Sequence, residues 1–523
     1  MTRFLALGSL GSGLLLAGLA GPAAAEVVPA PIFGDHMVLQ SDRPVPVFGQ
    51  TEPGGQVSVT ATVVTDAPPD DLINERPAAT ATADENGRWS VTVGPFQPGT
   101  NLTLVVADAD AADASAEGEA DTADRKVYTD VLAGDVWLCS GQSNMAWGLN
   151  NTLDADREIQ SAKNDEIRLF TVPRQSVREP KTTLSADAQW MKLSPESARN
   201  FSAVGYYFGK TIHTETGRPL GLINSSWGGT PSEAWTRPAT LEKTDTAGPL
   251  LERWEKTDDA DTNRPHHRPG VLNNGMITPL VPFALKGAIW YQGESNAGRA
   301  EQYDEIFPAM IEDWRDQFGQ PLPFFWVQLA NFRAYEDDPN AGSDWAELRE
   351  AQDNTLDELP DVGQAVIIDV GEANDIHPRN KEDVGQRLAL AALEVVYDMD
   401  ETGQLSPRMT DVAMDGKTAT VTFDTDGDAL QIRRDESVGA DAAAPGEALG
   451  FAVAGPDKTF HWAQAELTGP NTVKVTAPAG VSEIVAVRYA WADNPKVTLF
   501  NTRGLPAAPF RTDDWPGVTA GNY

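Results

Sequence analysis

The residues able to do chemistry collect just after short apolar runs. Ser140-Gly141-Gln142-Ser143-Asn144 follows residues 136–139, and Asp375-Ile376-His377-Pro378 comes shortly after residues 365–369. A serine hydroxyl is a weak nucleophile and needs an adjacent base to take its proton. Of the six histidines, His377 is the best placed to be that base. It sits in a loop leading into a helix that Asn380 can cap, with Asp383 in the first turn. Ser143 and His377 together point to acyl transfer. The oxyanion of such a reaction must meet preorganised donors. Backbone N–H groups at Ser143 and in Gly228-Gly229 suit that role, because glycine permits close approach. A side-chain amide from Gln292 or Asn296 could complete the set.

The other histidines fit plainer roles. His213 lies within a helical stretch, and His36 and His461 fall among short strands; His266 and His267 sit in a Pro/Arg-rich loop that reads mainly as solvated, with substrate contact as the alternative. No cluster resembles a histidine/carboxylate zinc motif, and a single cysteine, Cys139, excludes a cysteine-built one.

Positioning these groups falls to residues 129–403. There, apolar runs at 136–139, 167–172, 220–224, 288–291, 324–329 and 365–369 alternate with helical periods at 203–214, 302–318 and 381–396. That alternation is the signature of βαβ units around a buried parallel sheet. In such sheets, ligands bind beyond the carboxyl ends of the strands. Ser225 to Thr230 follows the third run, Gln292-Gly293-Glu294-Ser295-Asn296 the fourth and Asn331 the fifth, so the polar residues converge on one edge. Residues 26–128 and 404–523 instead show short alternating strands between Gly- and Pro-rich turns, the texture of β modules. Two acidic stretches, 108–124 and 435–447, are expected to be solvated loops.

Residues 1–25 combine Arg3, a short glycine-broken apolar stretch and Ala23-Ala24-Ala25, the layout of a secretory signal peptide. Export to the periplasm or the cell exterior is expected. No later segment holds ~18 unbroken apolar residues, so no stable membrane insertion is expected. The formal charge of −37 repels phosphate backbones, which disfavours nucleic acid as a partner. Composition is silent on oligomeric state.

Ser140-Gly141-Gln142-Ser143-Asn144-Met145 resembles the SGNH hydrolase superfamily, and within it the sialate O-acetylesterase family. The resemblance extends to Met37-Val38-Leu39-Gln40, Asn224 to Thr230, Gly287 to Asn296, Asp375 to Pro378 with Lys381 and Gly385 to Leu388, Val487 to Trp491, and Gly504 to Asp513. It implies a three-layer α/β/α, flavodoxin-like hydrolase domain flanked by β-sandwich-like modules. It also implies a serine esterase with no cofactor or metal, acting on O-acetylated glycan or sialic acid. Ser143 and His377 would be catalytic, with oxyanion contacts at Ser143, Gly229 and Gln292. Gln142, Asn144, Trp227, Glu294 and Asn296 would line the substrate site.

The superfamily often has its aspartate three residues before the histidine, where this chain has Asn374; Asp375, Asp369 or a backbone carbonyl could orient His377 instead. A sialic acid carboxylate would want an arginine, with Arg349, Arg379 and Arg387 as candidates. An acetylated plant polysaccharide such as xylan is the alternative substrate. A non-catalytic glycan-binding protein using exposed aromatics such as Trp227 and Trp235 is the alternative class.

Overall fold

In the computed structural model, the described residues are 26–64, 78–109, 125–185, 187–399, 403–433 and 447–523. The expected signal peptide and most of both acidic loops lie outside them. The central strand, β1 (Arg125–Gly141), is fully buried from Val131 onward, as expected of a strand covered on both faces. Around it stand β2 (Asn164–Thr171), β3 (Trp190–Leu193), β4 (Leu220–Ser226), β5 (Gly287–Tyr291), β6 (Phe324–Gln328) and β7 (Val362–Val366). Their order is β3-β2-β4-β1-β5-β6-β7, and only β3 runs antiparallel. The six parallel strands are the six expected from the apolar runs. The edge strand β3 carries too short an apolar run to be expected from sequence, since Lys192 interrupts its four residues.

The chain leaves β1, crosses to β2, returns through β4 beside β1 and then continues on the other side through β5. The sheet's direction of growth therefore reverses at β1, and the residues after β1 face a ready crevice. Helix α1 (Ser143–Ala146) begins there. Helices α2 (Ala203–Thr216) and α5 (Lys381–Tyr397) pack together on one face; α3 (Ala300–Phe318) and α4 (Asp344–Glu358) pack together on the other. Asn380 caps α5 by accepting from the Asp383 N–H, as its sequence position suggested. Helix α4 was missed from sequence, because its buried face includes Glu347, Arg349 and Gln352, which blur an apolar period.

The expected boundary at 128/129 falls inside β1. The first half of β1 pairs with Asn101–Asp108 and with Val38–Gln40 of the N-terminal β region, while its second half is the centre of the parallel sheet. Gln40 Oε1 accepts from the Val136 N–H at 2.9 Å and its amide donates to Asp135 Oδ1 at 3.0 Å. Buried Asp135 also accepts from Arg218 and from the Tyr397 hydroxyl. The Met37–Gln40 block thus anchors the strand that carries Ser143.

The described residues of the C-terminal region form two four-stranded antiparallel sheets and a two-stranded one. Its core takes in Val366 and Ile368 from the end of β7. Arg349, fully buried, ties it down: the guanidinium donates to the carbonyls of Leu329, Ala330, Ala492 and Asp493 at 2.7–2.9 Å. This is a brace rather than a substrate contact. Arg349→Ala should remove four hydrogen bonds, although the Ala330 carbonyl keeps the Trp345 indole N–H and the Asp493 carbonyl keeps the Phe332 N–H, and lower stability by about 4 kcal/mol, at about 1 kcal/mol per bond. The check is the chemical denaturation midpoint measured beside KM: the midpoint should fall and KM should hold.

Candidate active site

Strand β1 delivers its last residue, Gly141, into a left-handed backbone conformation (φ 134°), where a Cβ would lie 2.2 Å from the Tyr291 carbonyl oxygen. Only glycine fits there. The Gln142 N–H then donates to the same carbonyl at 2.9 Å, and the chain turns into α1 with Ser143 at its first position. Gly228 presses against this turn, since a Cβ on it would sit 3.2 Å from Ser143 Cβ.

His377 reaches the serine across 234 residues of sequence, with Nε2 2.8 Å from Ser143 Oγ. That is hydrogen-bond distance, the arrangement a nucleophile and its base require. Asp375 is close but not tightly bonded to the ring: its Oδ1 lies 3.5 Å from Nδ1, beyond ordinary hydrogen-bond range. The same oxygen accepts the His377 backbone N–H at 2.9 Å, closing an Asx turn. Asp375 therefore shapes the loop and places negative charge beside the imidazole. Asp369, the alternative, faces elsewhere in a bidentate pair with Arg387. That pairing also withdraws Arg387 from the substrate role considered above. Arg379 is exposed and paired with Glu372.

A buried polar layer holds the two loops together. Asn144 donates to Glu294 and, at 3.0 Å, to the carbonyl of Ile376, the residue before His377. Its Oδ1 accepts from Lys381 Nζ. Lys381, fully buried at the start of α5, lies over the rings of Tyr291 (5.1 Å) and Trp147 (6.0 Å). Burial pushes its ammonium down to about 7, while Glu294 opposes that fall. Burial likewise pushes the Glu294 carboxyl up. Trp147 stacks on His377, with centroids 4.9 Å apart and planes 13° apart. Neither Trp147 nor Lys381 was singled out from sequence for a role. Lys381 opens the helix that the His377 loop leads into, and Trp147 closes the short helix that Ser143 begins, so neither shares a helical face that a periodic pattern would mark.

Among the expected oxyanion donors, the Ser143 and Gly229 N–H groups have no other hydrogen-bond acceptor among the described residues. Gly229 is exposed, in a left-handed conformation (φ 74°), with open space beside it. Gln292 differs from expectation. It is buried, and its amide donates to the Thr230 carbonyl (3.2 Å) and to Asn296 Oδ1 (2.7 Å). Both of its N–H hydrogens are thereby engaged. Asn296 is engaged too, accepting from the Ser232 N–H and donating to Glu233. These two amides set the Thr230–Ser232 segment that follows Gly229, rather than facing the serine. Gln142 is similarly inward, accepting from the Ser295 N–H at 3.3 Å.

Trp227, half-buried next to Gly228, stacks on His266 with centroids 5.1 Å and planes 5° apart. The loop of His266 and His267, expected mainly as a solvated loop with substrate contact as the alternative, packs against Trp227 beside Ser143. Trp235, expected to be exposed, is fully buried and donates to Thr230 Oγ1.

Residues 133–394 match the family described as carbohydrate esterase, sialic acid-specific acetylesterase. The chain is 29% identical to the sialate O-acetylesterases of Pongo abelii and Homo sapiens over 528 residues, covering 93% of this chain and 93% of each relative. A solved carbohydrate acetylesterase from Xanthomonas citri is 38% identical, with a TM-score of 0.78 over 94% of this chain and all of that one.

Burial, and then the Lys381 charge, hold the His377 imidazole below its ordinary 6.5, while Asp375 opposes both. Neutral imidazole is the form that can accept the serine proton, so activity should fall as pH drops through this pKa, below 6.5. Asp375→Asn should move that acid limb to lower pH, and Lys381→Met should move it to higher pH. Measuring kcat/KM against pH for the three proteins checks both signs.

Proposed function

The chain belongs to the carbohydrate esterase family of sialic acid-specific acetylesterases, and from that membership we propose that it removes O-acetyl groups from sialic acid through an acyl-enzyme on Ser143. It is a carbohydrate acetylesterase; the sugar, the catalytic roles and the location are the proposal. The observation that carries it is the 2.8 Å contact between Ser143 Oγ and His377 Nε2 at the carboxyl edge of the sheet.

In this reading, His377 Nε2 takes the Ser143 proton as Oγ attacks the acetyl carbonyl carbon. The carbonyl oxygen becomes an oxyanion and is met by the backbone N–H groups of Ser143 and Gly229. The intermediate collapses, its bond to the sugar oxygen breaks as His377 gives that oxygen the proton, and the sugar leaves as a free hydroxyl with acetyl-Ser143 behind it. Water, deprotonated by the same imidazole, attacks that ester, and acetate leaves as the serine is reprotonated. Asp375 stabilises the imidazolium by charge across 3.5 Å. Its limited hold on Nδ1 makes it the weaker partner of the three.

Export is part of the proposal, supported by the basic, apolar and small-residue pattern of residues 1–25. So is the division into an N-terminal β domain, a hydrolase domain and a C-terminal β module. Acetylated xylan is the competing substrate.

Acetate release from O-acetylated sialic acid and from acetylated xylan, measured side by side for wild type and Ser143→Ala, tests this reading. The variant should lose roughly 10⁴–10⁶-fold in turnover. A variant that keeps full activity removes Ser143 from the mechanism.

A further inference from the structure

An acidic protein of net charge −37 repels an anionic sugar at long range, so binding one demands a local cation. Beyond about 10 Å the general field is screened at ordinary salt, and contacts at the site decide recognition. The arginines first considered for that task are engaged elsewhere: Arg349 holds four carbonyls, Arg387 holds Asp369, and Arg379 holds Glu372.

Another arginine stands at the site itself. Arg174 follows the carboxyl end of β2, in the third residue position beyond Thr171, on the same edge as Ser143. Its Nε donates to the Ser226 carbonyl at 3.2 Å, and its guanidinium carbon lies 6.0 Å from the centre of the Trp227 ring. Trp227 is joined to Gly228, which touches Ser143. Arg174 is exposed and has no carboxylate partner among the described residues. Its neighbours along this rim differ: Arg178 and Arg268 both pair with Asp259. Held by one nitrogen, Arg174 keeps its terminal N–H groups free, and these suit bidentate recognition of a carboxylate.

In the chain, Trp227 lies between Ser226, whose carbonyl holds Arg174, and Gly228, which packs beside Ser143. Trp227 and His266 form a flat stacked pair. Burial, with Arg264 adding to it, lowers His266, and His267 is pushed down to about 4, so both imidazoles are neutral at neutral pH. The wall is therefore uncharged, with the cation at one side of it.

We propose that Arg174, set against the Trp227–His266 wall, is the carboxylate-binding residue of the substrate site and selects an acidic sugar, an O-acetylated sialic acid, over neutral acetylated glycans. This rests on the esterase reading above and names its substrate class.

The test compares acetate release from three probes: O-acetylated sialic acid, its carboxyl methyl ester and acetylated xylan. For wild type, kcat/KM should be highest on the free acid, and the methyl ester should lose roughly 10–100-fold through KM, the range of a charge-assisted pair. In Arg174→Ala the ratio of kcat/KM on the free acid to that on the methyl ester should collapse toward one. Arg174→Lys should restore part of it, because a point charge replaces a fork. An equal fall on all three probes in Arg174→Ala would mean a structural role and overturn the proposal. Wild type that treats acid, methyl ester and xylan alike overturns it too, while leaving the esterase reading intact. Wild type that releases acetate from none of them removes both.

Discussion

Asn144 sits where three segments meet, and its side-chain amide is the joint between them. It follows the serine directly, donates to Glu294 after β5 and to the Ile376 carbonyl before His377, and accepts from Lys381 at the head of α5. Ser143 and His377 belong to loops far apart in the chain, and the pair must be held to within a few tenths of an ångström to exchange a proton. Amide and ammonium are buried and the carboxylate is half-buried, so each is costly to leave without its partner. That cost makes the arrangement stiff. Lys381 adds a second effect, since its charge near the imidazole favours the neutral, proton-accepting form.

The frame around this joint works by continuity of strands. β1 belongs at its start to the N-terminal β region and at its end to the hydrolase sheet, so the serine's strand is clamped along its whole length. Gln40 and Asp135 hold its middle, where the two regions meet. On the far side, Arg349 and the Val366–Ile368 segment join the C-terminal sheets to the strand end that precedes the histidine loop. The β regions thus brace the loops carrying the chemistry.

Much of this was legible in the sequence because it rests on local pattern. Runs buried on both faces marked all six parallel strands, and the rule that polar residues after such strands converge picked out Ser143, Gly229 and His377. The same rule reaches Arg174 when applied to the second strand, where it had not been used. What was not legible depends on tertiary pairing. Arg349 and Arg387 read as free cations until their acceptors, far away in sequence, are in view. Gln292 and Asn296 read as oxyanion donors, yet two amides four residues apart satisfy each other and the 230–232 segment. Asp375 was visible as the nearest acid, but only the turn geometry reveals that its firmer bond is to a backbone N–H. Trp235 reads as a rim aromatic because burial of a lone tryptophan leaves no periodic trace.

The central claim is that Ser143 is an activated nucleophile because His377 is held against it. The most direct measurement is labelling with a fluorophosphonate, followed by mass spectrometry of the modified peptide, for wild type and for His377→Ala. The account predicts one adduct, on Ser143, formed rapidly in wild type and slowed by orders of magnitude in the variant. An adduct on another residue, or labelling of Ser143 that proceeds equally fast without the imidazole, would contradict it.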